Sequence, residues 1–388
     1  MNTGKYVFSQ VMSLLDPNDF IKCVKKYNGN YKVKHFTCWH QLMCLVFGQL
    51  SHRESLSDLI TCLNTQRNLW YHLGMGTGLS KNNLAHANEH RDWRIFADYA
   101  YMLIAEARRV CIDKSDLELK IEGNVYAIDS TTIDLCLSVF WWAKFRKHKG
   151  AVKMHTQLDV QTGIPTFIQI SDGSVADVNF LDTIEIEAGS FYVLDRGYWD
   201  FDRLYNIHRN KGYFITRFKK NTNYRRLYSA KVDRTTGVIC DQTVRFNGPN
   251  AIKDYPEKLR RIKYYDKETD NTFVFATNNF ELSALQIALL YKNRWQIELF
   301  FKWIKQHLKV KTFWGYSENA VRIQIYTAII AYVTVIIMKE KMKIRYSTYE
   351  ILQILSITML NKSEINQLFQ PPNIQMPNED TANQLVLF

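Results

Sequence analysis

The chain has 388 residues, enough for two or three domains around at least one sizeable core. Hydrophobic residues make up 46% and aromatics 14%, which excludes a largely disordered chain. With 50 Lys and Arg against 38 Asp and Glu, the net charge of +12 favours a polyanionic partner, nucleic acid before an acidic membrane surface.

The N-terminal MNTGKYVFSQVM lacks the apolar h-region of a signal peptide. Residues 1–115 read as helices with short polar joints, broken near Asn30 and Gly74–Gly78. Within them His35, Cys38, His40 and Cys44 lie close together, but HFTCWHQLMCLVFGQL reads as a core helix and no second ligand pair follows at finger-like spacing. The 7 cysteines, an odd number, form no disulfide framework and fit a reducing cytosol.

From Val125 the period changes. NVYAIDSTTIDL, AVKMHTQLDV and TFIQISDG are β-rich runs separated by turn signals, and they predict a meander. VNFLDTIEIEA follows as a helix, SFYVLDRGY as a short apolar strand, FDRLYNIHRN as a helix and GYFITRF as a strand. Three antiparallel strands, then helix, strand, helix and strand, predict a mixed α/β layered sheet over 116–218. Residues 219–276 break that rhythm with strand pairs and polar turns, which predicts a β insertion. The core resumes over 277–342, and 343–388 holds a C-terminal helix and a polar tail. YTAIIAYVTVIIM, 13 residues between Arg322 and Lys339, is too short to span a bilayer and predicts a buried helix. A soluble, cytoplasmic protein without a membrane partner is expected.

YKNRWQIELFFKWIKQ, residues 291–306, reads as one helix. At roughly 100° per residue Tyr291, Arg294, Glu298 and Lys305 share an arc of about 60°. Ile297, Leu299, Phe300, Phe301, Trp303, Ile304 and Leu308 cover most of the rest, which predicts burial of the helix. A buried carboxylate needs a partner, so Glu298 is either salt-bridged to Arg294 or holds something else positive. Two further carboxylates stand on strands: Asp129 after VYAI and Asp195 after FYVL. Each alone could simply cap a turn or open a loop. Together with Glu298 they would repel one another unless a cation is present. Oxygen donors with no His or Cys nearby suit Mg²⁺ or Mn²⁺, and two such ions suit in-line phosphoryl displacement.

The order Asp129, Asp195, Glu298 on strand, strand and helix resembles the DDE transposases with a ribonuclease-H-like core. Tyr291-x2-Arg294-x3-Glu298-x6-Lys305 resembles the Tyr-Arg-Glu-Lys signature of the insertion-sequence-4 family of bacterial transposases. YVLDRGYWDFDRLY, AIDST, the β insertion and the N-terminal LVFGQLSHRESLSDL extend that resemblance over roughly residues 1 to 320. It implies a helical N-terminal leader or DNA-binding domain, a catalytic ribonuclease-H-like core in two parts, and C-terminal helices. It also implies that Asp129, Asp195 and Glu298 bind two metal ions, while Tyr291, Arg294 and Lys305 hold the transposon end and a displaced terminal nucleotide. Trp295 either stacks on a base or packs in the core. Asp177 lies in a loop where capping is the default. The clusters Lys144, Arg146, Lys147, Lys149 and Lys153, then Lys219, Lys220, Arg225 and Arg226, then Lys258, Arg260, Arg261 and Lys263, predict a long DNA footprint. The expected activity is cleavage at terminal inverted repeats and joining of the 3′ hydroxyl to target DNA, in a homodimer holding two ends. A catalytically silent, transposase-derived DNA-binding protein is the alternative.

Overall fold

The computed structural model describes residues 5–75, 79–111, 121–135, 138, 140, 142–146, 149–307 and 313–370. Gly76, Gly78, Lys147, Leu308, the boundary between 115 and 116 and the tail after residue 370 lie outside them, as do the side chains of Lys144, Arg146 and Lys149.

Six helices come first: α1 (Val7–Met12), α2 (Pro17–Lys26), α3 (Cys38–Leu50), α4 (Leu56–Thr65), α5 (Lys81–His90) and α6 (Arg94–Cys111). Thr37 opens α3 with a capping box, accepting from the His40 N–H while the Thr37 N–H donates to the His40 ring. Cys38 and Cys44 lie buried along α3 in the hydrophobic core. The zinc-like spacing is thus that of a core helix.

Ten strands form one sheet among the described residues. They are β1 (Val125–Leu135), β2 (Lys144–Arg146), β3 (Lys149–Asp159), β4 (Ile164–Asp172), β5 (Phe191–Leu194), β6 (Tyr213–Arg217), β7 (Tyr224–Ala230), β8 (Val238–Phe246), β9 (Leu259–Asp266) and β10 (Asn271–Thr277). β1 pairs antiparallel with β3, and β3 with β4, while β1, β5 and β6 run parallel. The spatial order β4-β3-β1-β5-β6, three antiparallel strands and then two parallel ones, is the ribonuclease-H-like arrangement. β5 is buried at all four positions, as a central parallel strand must be.

The stretch Val178–Ala188, expected as a helix, gives only the end of a single 3₁₀ turn, Asp177–Asp182. Thr183 ends it by donating its hydroxyl to the Phe180 carbonyl at 2.8 Å, a local bond that competes with helix continuation. α7 (Phe201–Arg209) then crosses from β5 to β6, capped by Asp200. The insertion strands β7 to β10, with α8 (Pro249–Asp254) among them, do not stand apart. β10 pairs with β6, so they extend the same sheet.

Alternation along the strands splits the core in two. Val125, Ala127, Val193, Ile215 and Phe275 face a large cluster shared with the helical segments, and Tyr126, Ile128, Tyr192, Leu194 and Phe214 face a smaller one with α7. The first face is covered by α9 (Ala284–Lys292), α10 (Trp295–His307) and α11 (Glu318–Lys341). The most apolar window of α11 is 94% buried inside the protein, which makes it a core helix. α12 (Thr348–Thr358) and α13 (Ile365–Leu368) close the described chain.

Residues 291–306 are not one helix. The chain breaks at Asn293–Arg294, where Asn293, Arg294, Gln296 and Ile297 donate their N–H groups three residues back instead of four. Asn293 helps the break by donating its side-chain amide to the Leu289 carbonyl, the acceptor its own N–H would use in a continuous helix. Tyr291 therefore ends α9 while Glu298 and Lys305 lie on α10.

Candidate active site

The last paired positions of parallel β1 and β5 are Ile128 and Leu194. The next residue on each is an aspartate, so Asp129 and Asp195 stand side by side on strands spaced about 4.8 Å apart. β5 stops there while β1 runs on to Leu135 beside β3 alone. This opens a crevice outside the carboxyl end of β5, where open α/β sheets hold their sites. Asp195 precedes a 3₁₀ turn, but its side chain makes no capping bond. The turn after it closes by backbone, Tyr198 N–H to the Asp195 carbonyl at 3.1 Å.

Asp129 accepts a hydrogen bond from the Ser130 N–H at 2.8 Å and one from Arg294 Nη1 at 3.2 Å. The other arm of the same guanidinium donates to Glu298. Arg294, with its side chain 15% exposed, thus clamps two carboxylates that the sequence separates widely. The Glu298–Arg294 salt bridge, set against the carboxylate cluster as its alternative, is part of it. Glu298 itself is not buried as expected; its side chain is 57% exposed and faces a cavity of about 430 Å³.

Burial pushes Asp129 up to about 6, and the neighbouring charges of Asp195 and Glu298 push the same way, while the Ser130 N–H and Arg294 pull it back. In the folded state the group therefore holds its proton more tightly than in the unfolded chain. Its contribution to stability is fully present below about pH 4 and is lost as pH rises through 6. Replacing Asp129 with Asn should then stabilise the protein in chelator by about 1–2 kcal/mol above pH 7, after allowance for partial exposure and the lost Arg294 contact. The gain should vanish below about pH 4; denaturant melts across pH check this.

Tyr291 packs its ring on Phe275 and is only 5% exposed, so it turns a hydroxyl and not a stacking face toward Arg294. Trp295 is 51% exposed, which overturns its core alternative. Lys305 donates to the Thr132 carbonyl at 2.7 Å and so ties α10 to β1 beside Asp129. Asp177 does more than cap: its carboxylate lies 2.9 Å from Lys153 Nζ. Burial raises its affinity for a proton, but hydrogen bonds from Ser130 and Lys153 outweigh that and hold it below the usual carboxylate range.

Arg217 escaped the sequence reading. It follows β6's apolar YFIT as Asp195 follows β5's FYVL, and in the parallel register it falls beside Asp195. Its guanidinium lies over the Phe273 ring at 4.9 Å and the Tyr291 ring at 5.6 Å, lining the cavity that Glu298 faces. The same signal, a charged residue ending an apolar strand, could have found it.

Three basic residues of the expected DNA-tracking clusters belong elsewhere: Lys153, 12% exposed and held by Asp177, and two arginines of β9. Arg260, expected on a DNA-tracking cluster, is buried and grips Asp241 through two hydrogen bonds of 2.9 and 2.7 Å. Arg261 lies over the rings of Phe218 and Tyr224 and donates to Gln242. The two point to opposite faces, as neighbours on a strand do.

Among the described residues no three His, Cys, Asp or Glu side chains form a metal-binding group as they stand. The donors nevertheless fit a hard divalent cation. All are carboxylate oxygens, burial makes Asp129 hold its proton more tightly, and a guanidinium bridges it to Glu298.

A family model described as "Transposase DDE domain" matches residues 121–334, and one described as a domain of unknown function (DUF4372) matches residues 3–76. The Sinorhizobium fredii protein named "Putative transposase y4zB" is 34% identical over 296 residues, covering 75% of this chain and 80% of that protein. The Synechocystis protein named "Putative transposase for insertion sequence element IS4SA" is 29% identical over 267 residues, covering 66% and 71%. Among solved structures, a piggyBac transposase synaptic complex with hairpin DNA aligns with a TM-score of 0.48 at 11% identity, over 94% of this chain and 82% of that one. With the DDE model matched over more than half of this chain, and a strand-end aspartate joined through Arg294 to a helical glutamate inside the match, this chain belongs to the DDE-domain transposases.

Proposed function

We propose that the protein is the transposase of an insertion sequence of the insertion-sequence-4 type, and that it cuts its element's terminal inverted repeats and joins the freed 3′ hydroxyl to target DNA. The observation that carries this reading is Arg294 joining Asp129 to Glu298, with Asp195 next to Asp129 at the end of the parallel β1–β5 pair. Asp129, Asp195 and Glu298 would hold divalent ions, magnesium or manganese, two to a site, whose chemistry would be to activate the attacking oxygen and stabilise the leaving one.

The protein's own side chains do the positioning. Arg294 lets go of the carboxylates and turns to the phosphates of the element end, where its planar fork matches phosphate oxygens. Lys305 holds α10 against β1 so that Glu298 stays in register with Asp129. Trp295 offers an exposed ring to a base, and the buried Tyr291 supports Arg294 from behind. Two copies act on two element ends, in the bacterial cytoplasm and on the nucleoid. In this reading the helical residues 1–115 bind DNA, 116–218 and 277–342 make the catalytic core, 219–276 is the insertion, and 343–388 closes the chain.

Purified protein given Mg²⁺ and a labelled duplex carrying the inverted repeat should nick the element end and join a pre-cleaved end to plasmid DNA. Binding without nicking would support the silent DNA-binding alternative. Nicking without joining would leave a plain nuclease.

A further inference from the structure

Beyond Ile128 and Leu194 the parallel ladder ends, so strand pairing no longer fixes where Asp195 stands relative to Asp129. A second group of polar side chains gathers there, on the face of the sheet away from Arg294. Tyr126, Ile128, Ser130 and Thr132 alternate onto that face of β1, and the cross-strand partners of the last two are His155 and Lys153 of β3. Lys153 Nζ lies 2.9 Å from the Asp177 carboxylate and donates to the Val175 carbonyl at 2.7 Å. Asp177 also accepts from the Ser130 hydroxyl, and the buried Tyr198 turns its own hydroxyl toward the same serine. The 3₁₀ turn that Asp177 opens packs against the turn that holds Tyr198.

Lys153, Asp177, Ser130 and Tyr198 form one chain across β3, β1 and the turn after β5. Two of its members hold the acids through their backbones. The Ser130 N–H donates to the Asp129 carboxylate at 2.8 Å, and the Tyr198 N–H donates to the Asp195 carbonyl at 3.1 Å. A shift of Ser130 against Tyr198 therefore moves one aspartate against the other. The fold alone does not require a lysine here. Keeping its head out of water costs hydration that a single carboxylate roughly offsets, so an apolar chain of similar length would fill the place as well. What the charge adds is aim: Lys153 fixes the Asp177 carboxylate, and that carboxylate fixes the Ser130 hydroxyl. Acids that share one reaction need such fixing, because a misplacement of about 1 Å costs about a hundredfold in rate.

We propose that Lys153 and Asp177 are positioning residues for the reaction, acting from the back of the sheet through Ser130 and Tyr198 to set Asp129 against Asp195. The inference rests on the transposase reading and adds what holds the two acids in place. In this role Lys153 meets no phosphate, although the sequence groups it with basic residues expected to track DNA.

The test compares the parent with Lys153→Met, Lys153→Arg, Tyr198→Phe and the double variant K153M/D177L. Mn²⁺ binding is followed by calorimetry on the protein alone, and nicking of the labelled end duplex in single turnover at saturating Mg²⁺. Lys153→Met should bind Mn²⁺ about tenfold more weakly and nick about thirtyfold more slowly. Its affinity for the end duplex, and the dependence of that affinity on salt, should not change. Lys153→Arg should recover most of both losses. Tyr198→Phe, which gives up one hydroxyl and no packing, should move both readouts in the same direction as Lys153→Met. The double variant should melt like the parent and still bind Mn²⁺ and nick as poorly as Lys153→Met. Parental Mn²⁺ affinity and nicking in the double variant overturn the positioning role, because the pair then serves the fold alone. A Lys153→Met protein with a shallower salt slope and parental Mn²⁺ affinity overturns it too, since the lysine is then a phosphate contact. Neither result touches the transposase reading. A parent that binds no Mn²⁺ and does not nick the end duplex brings down both.

Discussion

Asp195→Asn should bind element-end DNA as tightly as the parent and cut it about a thousandfold more slowly or worse. Asp195 stands at the mouth of the crevice with its side chain making no capping bond, so its removal takes no visible support from the fold. Asparagine keeps the shape and one acceptor oxygen but removes the negative charge. A lost carboxylate ligand in a two-ion site withdraws several kcal/mol of stabilisation that appears as the phosphoryl group is displaced. About 4 kcal/mol is a factor of about 10³ in rate. The phosphate contacts that set affinity come from basic side chains, so binding should survive. Gel-shift binding and single-turnover cleavage with Mg²⁺ measure the two separately. Cutting retained at the parental rate would remove Asp195 from the reaction.

The second large effect is on stability. Arg260→Ala should destabilise the protein by about 3–5 kcal/mol, because it leaves Asp241 with an uncompensated charge in a closed place. The two side chains are 9% and 14% exposed, and the guanidinium also donates to the Asn279 carbonyl at 3.3 Å. Removing the pair together, as Arg260→Met with Asp241→Leu, should restore most of the loss, since buried ion pairs seldom outperform apolar groups of similar volume. Denaturant melts of the three proteins give the comparison. The salt slope of DNA binding should be the same in the double variant as in the parent. A melt unchanged by Arg260→Ala would show that water already solvates Asp241.

How much of this could be read beforehand follows from which signals are local. VYAID and FYVLD were legible because a continuous apolar run marks a central strand and its charged end marks the strand's mouth. A mixed sheet opening on an antiparallel meander was legible from the run of strands, but its order β4-β3-β1-β5-β6 is set by pairing between strands far apart in sequence. The break before α10 was not legible, since it depends on an asparagine amide taking the Leu289 carbonyl in preference to the backbone. The exposure of Glu298 and Trp295 followed from that break, which the single-helix projection could not contain. KLRRIK shows the other kind of failure. A period of 2 already sends Arg260 and Arg261 to opposite faces, but only the pairing of β8 with β9 says that one of them meets Asp241. Local pattern assigns a residue to a face; what waits there belongs to a neighbouring strand.

The docking of β10 against β6 carries a consequence for how the enzyme is built. Residues 218–270 must loop out and return before that ladder can close, and only then does the chain run on into the segment bearing Glu298. Contacts of such long sequence separation form slowly, because loop entropy is lost before pairing repays it. The glutamate therefore joins the strand-end aspartates late in folding, and in the function proposed above a nascent chain holding only the first two acids has no complete site.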